Sequence, residues 1–175
     1  YPREAIHLLR SPIDVEDIRP VERTPRFRAA NGLKPDDFVV VFSGSMGLKQ
    51  GLDNVIAAAR DLRATAPEVR WVMVRDGEMK PAIERLIIEH QLQECVKLLP
   101  LQPFGEMADM FAAADVLLLN QIGTVKATVI PSKLLTYMAA GRPVLAAVHE
   151  KSQGAVLLRE ADGGFVVAPD SPRTL

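Results

Sequence analysis

A chain of 175 residues, 48% apolar and 25% charged, can bury a sizeable core, and its length points to one domain rather than two. With 21 basic residues against 22 acidic ones and no basic run or stripe, its formal net charge of -1 offers no electrostatic grip on nucleic acid or anionic lipid. The single cysteine, Cys95, excludes an internal disulfide and, among apolar neighbours, reads as an inert structural thiol suited to a reducing compartment.

Residues 1–35 carry Pro2, Pro12, Pro20, Pro25 and Pro35 among charged side chains, and read as an extended, loop-rich linker arriving from another domain. Ala5 to Leu9 is a weak strand within it. From residue 36 to 175 short apolar runs alternate with stretches of helical period. Val39 to Phe42 predicts a strand, and Leu52, Val55, Ile56, Ala59 and Leu62 the stripe of a helix. Trp71 to Val74 precedes a stripe at Ile83, Leu86 and Ile87. Val96 to Leu99 precedes one at Met107, Met110 and Phe111, and Val116 to Leu119 one at Leu134, Leu135 and Met138. Val144 to Ala147 and Phe165 to Val167 complete the strands. Both ends read as cut, with a further helix able to begin at Pro172. The runs are continuous rather than alternating, as in a parallel sheet covered on both faces. No run reaches the ~18 apolar residues of a membrane span, and the start is not a signal peptide. His7, His90 and His149 stand too far apart in sequence to suggest a metal site.

Right-handed crossovers place strand C-terminal ends along one edge, where α/β domains bind ligands. Ser43 to Gly51 lies there. Gly44, Gly47 and Gly51 allow close backbone approach, and the amides of Gly44, Ser45, Met46 and Gly47 lead into a helix N-terminus, where anions bind. Lys49 adds a cation, although an ordinary turn would use similar residues. The spacing is neither a dinucleotide fingerprint nor a P-loop. Arg75-Asp76-Gly77 follows the next strand. Asp-Gly is a common turn pair, while Arg75 could meet a phosphate, a sugar carboxylate or a neighbouring acid.

The connection from Asn120 to Ile130 exceeds the ~2–6 residues usual between strand and helix, which suggests a binding loop. Pro131 reads as a first helical residue and Gly141 as the stop. Lys133 is out of place there. A cation in the first turn opposes the helix dipole by roughly 0.3–1 kcal/mol unless an anion docks near Ser132 and Lys133. Thr136, about one turn on, would then reach an adjoining sugar. A solvated surface lysine is the plain alternative.

Phe38 to Gly51, Asp76-Gly77, Phe111 to Leu119 and Pro131 to Val144 occur in an order that resembles the retaining GT-B glycosyltransferases of family 4, group 1. The nearest likeness is to bacterial exopolysaccharide and O-antigen enzymes of the colanic-acid and N-acetylfucosamine transferase type. The resemblance covers the chain from about His7 onward. It implies a Rossmann-like, doubly wound parallel sheet of about six strands, the C-terminal donor-binding domain of a two-domain enzyme.

Carried over by position, Lys133, and Lys49 second, would steady the departing diphosphate without a metal or other cofactor. Gly44, Ser45, Met46, Gly47, Arg75, Asp76, Gly77, Thr128, Ile130 and Ser132 would border the donor diphosphate and sugar. Leu99, Leu101 and Gln102 would flank the base, and Thr136 the ribose. The implied partners are a nucleoside-diphosphate-sugar, uridine-linked, and a lipid-linked glycan acceptor held by an absent N-terminal domain. The implied location is the cytoplasm, at the inner membrane face. Thr128 and Thr136 stand where the family carries an E-x7-E pair, and Ser45 where many members carry arginine. A hydroxyl in place of a carboxylate forfeits roughly 1–2 kcal/mol of donor binding. That loss keeps a non-catalytic nucleotide-sugar-binding module open as the alternative.

Overall fold

The computed structural model describes residues 12–125 and 129–175; the strand expected at Ala5–Leu9 and the candidate Thr128 lie outside them. The chain forms the expected doubly wound α/β domain. Six strands, β1 (Phe38–Ser43), β2 (Val69–Val74), β3 (Val96–Leu99), β4 (Val116–Asn120), β5 (Val144–Ala147) and β6 (Gly164–Val167), run parallel in the order β3-β2-β1-β4-β5-β6. Successive side chains of a strand point to opposite faces. Val39 and Val41 therefore enter one core layer, and Val40 and Phe42 the other. Helices α2 (Leu52–Leu62) and α3 (Lys80–Glu89) cover the Phe42 face, and α4 (Met107–Ala113) and α5 (Ser132–Ala139) the Val41 face.

Two further helices depart from the sequence reading. Pro25–Ala30 forms α1 inside the stretch read as extended: Pro25 suits a first helical turn, and Phe27 and Arg28 turn into the domain. Gln153–Glu160 forms α6, started by Ser152, whose hydroxyl accepts from the Ala155 amide at 3.2 Å. A 3-10 turn at Pro172–Thr174 stands where a helix could begin. No helix among the described residues is long and apolar enough to cross a membrane.

The N-terminal edge of the sheet is clamped by Arg28, which is 4% exposed. Its guanidinium donates to the carbonyls of Ala113, Pro35 and Asp37 and to the Asp115 carboxylate at 2.8 Å. Burial alone would raise the Asp115 carboxyl. The Val39 amide and the guanidiniums of Arg23 and Arg28 outweigh it and hold the carboxyl below its ordinary value. Asp115→Asn is therefore expected to destabilise the fold by about 1–2 kcal/mol at neutral pH, after screening at a partly exposed carboxylate. A group with a lowered folded pKa stabilises above its unfolded pKa and loses that contribution as pH falls through the folded one. Urea titrations should show the gap between variant and wild type closing below the ordinary carboxylate range.

Between β1 and β4 the strand order reverses, and their pairing ends at Val41 and Leu117. The last residues of the two strands thus part at the switch point, where such sheets bind ligands. Hydrogen bonds between the following loops span the gap instead. Asn120 donates to the carbonyls of Gln50 and Gly51 at 2.6 and 2.9 Å, and the Ile122 amide donates to Lys49 at 3.0 Å.

Candidate functional site

Helix α5 begins beside this gap with no side-chain cap on its N-terminal amides. Lys133 and Tyr137, at i and i+4, share the face directed at the end of β1. The Tyr137 hydroxyl accepts from the Ser43 amide at 2.8 Å and donates to the Ser43 carbonyl at 3.0 Å, fixing strand end to helix. Sequence reading passed over Tyr137; its one signal was the helical spacing from Lys133.

The Lys133 ammonium lies 4.0 Å from the centre of the Phe42 ring, a cation-π contact. It also sits 2.6 Å from where a Cβ on Gly44 would be, so glycine at 44, with φ +145°, is what admits it. The ammonium is buried and has no hydrogen-bond acceptor among the described residues. Burial, with repulsion from Arg75, pushes its pKa down to about 8. Holding the ammonium here destabilises the fold by on the order of 3 kcal/mol before the ring contact offsets part of it. Among the described residues the start of α5 thus carries a buried cation without an acceptor and N-terminal amides without a side-chain cap.

The other candidates divide. Gly44 and Ser45 lie on the loop facing Lys133, and Ser45 is exposed. Met46, expected among the phosphate contacts, is instead a core residue at 0% exposure, and its amide donates to the Asp76 carbonyl at 3.2 Å. It closes the loop rather than offering a free donor. A Cβ on Gly77 would lie 2.6 Å from the Met46 backbone, so Gly77 lets the two strand-end loops cross in contact. Gly47 packs near Gln50 and Glu78. Lys49 is exposed on a 3-10 turn at Leu48–Gln50, with no ion pair among the described residues. Arg75 holds φ at +105°, a region that favours glycine, and donates its amide to Leu99 at 3.0 Å. It is exposed and makes no ion pair among the described residues, whereas Asp76 pairs with Lys80.

Ser132 opens α5, and the Thr136 hydroxyl donates back to the Ser132 carbonyl at 3.4 Å. Ile130 packs on the core. Of the three residues expected to flank a base, Leu99 packs on the core, Leu101 is exposed, and Gln102 donates to Pro100 and lines a cavity with Arg26 and Phe27. Phe104 and Met107 face α5 across a cavity of about 310 Å3 that Ser132 and Thr136 share. A larger cavity of about 460 Å3, near Arg142 and Phe165, lies at the opposite edge of the sheet.

A family model described as glycosyl transferases group 1 matches residues 23–175. The chain is 28% identical over 177 residues to a putative colanic acid biosynthesis glycosyltransferase, WcaL, of Escherichia coli K12, covering 99% of this chain and 41% of that protein. It is 29% identical over 185 residues to D-inositol 3-phosphate glycosyltransferase 1 of Catenulispora acidiphila, covering 97% and 41%. Both relatives extend well beyond the matched part. Among solved structures, HepE of Anabaena in complex with UDP-glucose shares the fold at a TM-score of 0.74 and 23% identity, over 92% of this chain and 43% of that one.

Proposed function

The chain belongs to the glycosyl transferases of group 1, and from that premise we propose that it is the donor-binding part of an enzyme of bacterial surface polysaccharide synthesis. The reaction moves a sugar from a uridine-diphosphate-sugar to a hydroxyl of a lipid-linked glycan at the cytoplasmic membrane face, with retention at the anomeric carbon. The observation that carries this reading is the buried Lys133 ammonium, without an acceptor among the described residues, set between the start of α5 and Gly44. The UDP-glucose held by HepE supports the donor class, and the polysaccharide role named for WcaL supports the pathway.

As the bond between the anomeric carbon and the diphosphate oxygen lengthens, negative charge gathers on the phosphate. Lys133 and the first amides of α5 are already aimed at that charge and need no reorganisation to stabilise it. Arg75 and Lys49 add positive potential at the rim. This mechanism requires no metal. Acceptor contacts come from sequence outside this chain, so the chain alone binds donor without transferring its sugar.

Calorimetric titration with UDP, GDP and ADP tests the reading: one UDP site is expected, and absence of UDP binding at millimolar ligand would refute it. The pH dependence follows from Lys133. Its charged form binds the diphosphate, so UDP affinity should be level below pH of about 8 and fall above it, by up to tenfold per unit. An affinity independent of pH from 7 to 10 would remove Lys133 from the contact.

A further inference from the structure

The 310 Å3 cavity beside α5 has a composition that diphosphate binding does not explain. Its apolar wall includes the Phe104 ring, 61% exposed, with Met107 and Leu135. Its polar wall combines Ser132 and Thr136 on the helix with Asp14 and Asp17 on the leading segment opposite. Ser132 belongs to this cavity while its neighbour Lys133 turns toward Gly44. The first turn of α5 therefore stands between a buried cation, unpartnered among the described residues, and a chamber offering an aromatic face and carboxylates. A nucleotide anchored at Lys133 by its diphosphate would extend its nucleoside into that chamber.

A ribose diol presents two hydroxyl donors and is held best by an ionised carboxylate. Thr136 offers only a neutral oxygen whose proton is already engaged with Ser132. Asp14 is occupied in shaping its own turn: its carboxylate accepts from the Glu16 amide at 2.9 Å, and its carbonyl from the Ile18 amide at 3.2 Å. Asp17 makes no hydrogen bond or ion pair among the described residues, and its neighbour Ile18, 4% exposed, anchors the segment in the core.

We infer that Asp17 is the ribose-binding residue of the donor site, so that the leading segment supplies the acid that helix α5 lacks. Phe104 forms the apolar wall for the base. This assignment rests on the donor-site reading above, and the ligand pair below separates the two. Asp17 is a specificity residue here: it reads the diol and leaves the diphosphate to Lys133.

The test compares binding of UDP with that of 2′,3′-dideoxyuridine diphosphate, which keeps the base and phosphates but lacks the diol. Wild type should prefer UDP by roughly tenfold or more, the usual worth of a charge-assisted contact. Asp17→Asn should erase that preference by weakening UDP alone, and unchanged dideoxy binding shows that the variant remains folded. Thr136→Glu should restore the preference in the Asp17→Asn background and add nothing to wild type, where the diol already has its acid. An Asp17→Asn variant that weakens both ligands equally, or neither, overturns the assignment. Failure of wild type to bind either ligand would instead defeat the donor-site reading beneath it.

Discussion

Lys133→Met is expected to lower UDP affinity by about 100-fold and, in the same protein, to raise the melting temperature of the unliganded form. The two effects have one origin. The ammonium is buried over Phe42 with no acceptor among the described residues, so the fold bears its desolvation. Methionine fills a similar volume without the charge and restores about 1–2 kcal/mol net of the lost ring contact, or roughly 3–6 °C for a chain of this size. Under the donor-site proposal the diphosphate loses a charge-assisted contact with a buried cation, worth about 2–3 kcal/mol. Calorimetry and thermal unfolding on one preparation check both. A lysine kept only for packing would give the reverse, a less stable protein with unaltered affinity.

Lys133 has a folded pKa of about 8, below its ordinary 10.5, so between those values the unfolded chain binds more protons than the native one. Stability of the free protein should therefore receive a rising contribution from Lys133 as pH climbs through that window, and the methionine variant should lack it.

Gly77→Ala should have the largest effect on stability among single changes at the site, about 3 kcal/mol. The added methyl would stand 2.6 Å from both the amide nitrogen and the carbonyl oxygen of Met46. Those atoms bond Asp76 and Met79, so the clash opens two backbone hydrogen bonds at once. The loop cannot swing aside, because the Met46 side chain is locked in the core at 0% exposure. Gly44 lies on the displaced loop, and UDP affinity should fall about tenfold as the Lys133 pocket loosens, in line with loss of roughly one hydrogen bond. Denaturant unfolding reads the first effect and calorimetry the second. Ser45→Ala on the same loop, exposed and without a side-chain hydrogen bond among the described residues, should alter stability by less than about 0.5 kcal/mol. Equal, small effects of the two substitutions would mean that the loops do not depend on close contact at Gly77.

The sheet was legible because its strands are continuous apolar runs, a pattern that only burial on both faces demands. β3 and β5 fall where Val96–Leu99 and Val144–Ala147 predict them. The place of Lys133 in the first turn of a helix, against its dipole, was legible from Pro131 and the spacing of Leu134, Leu135 and Met138. What the sequence could not carry was contact between distant segments. Nothing local marks Arg28 as buried, because its acceptors are the carbonyls of Ala113 and Asp37 and a carboxylate 87 positions away. Met46 sits among glycines in a loop and looked available to a ligand; only the fold turns it inward. Likewise, nothing in the run after β3 announces that Phe104 and Met107, rather than Leu101 and Gln102, line the cavity beside α5. Asp17 belongs to a stretch whose prolines and charges spell a linker. Its position opposite Thr136 depends on Ile18 entering the core, which no periodicity announces.

The decisive measurement is a 13C NMR titration of the Lys133 side chain, free and saturated with UDP. A crevice that holds an ammonium for a diphosphate requires a midpoint near pH 8 in the free protein, moving up by at least a unit when UDP is bound. A midpoint at the ordinary lysine value in the free protein, or one that UDP leaves unmoved, would contradict the placement of the donor diphosphate at the start of α5.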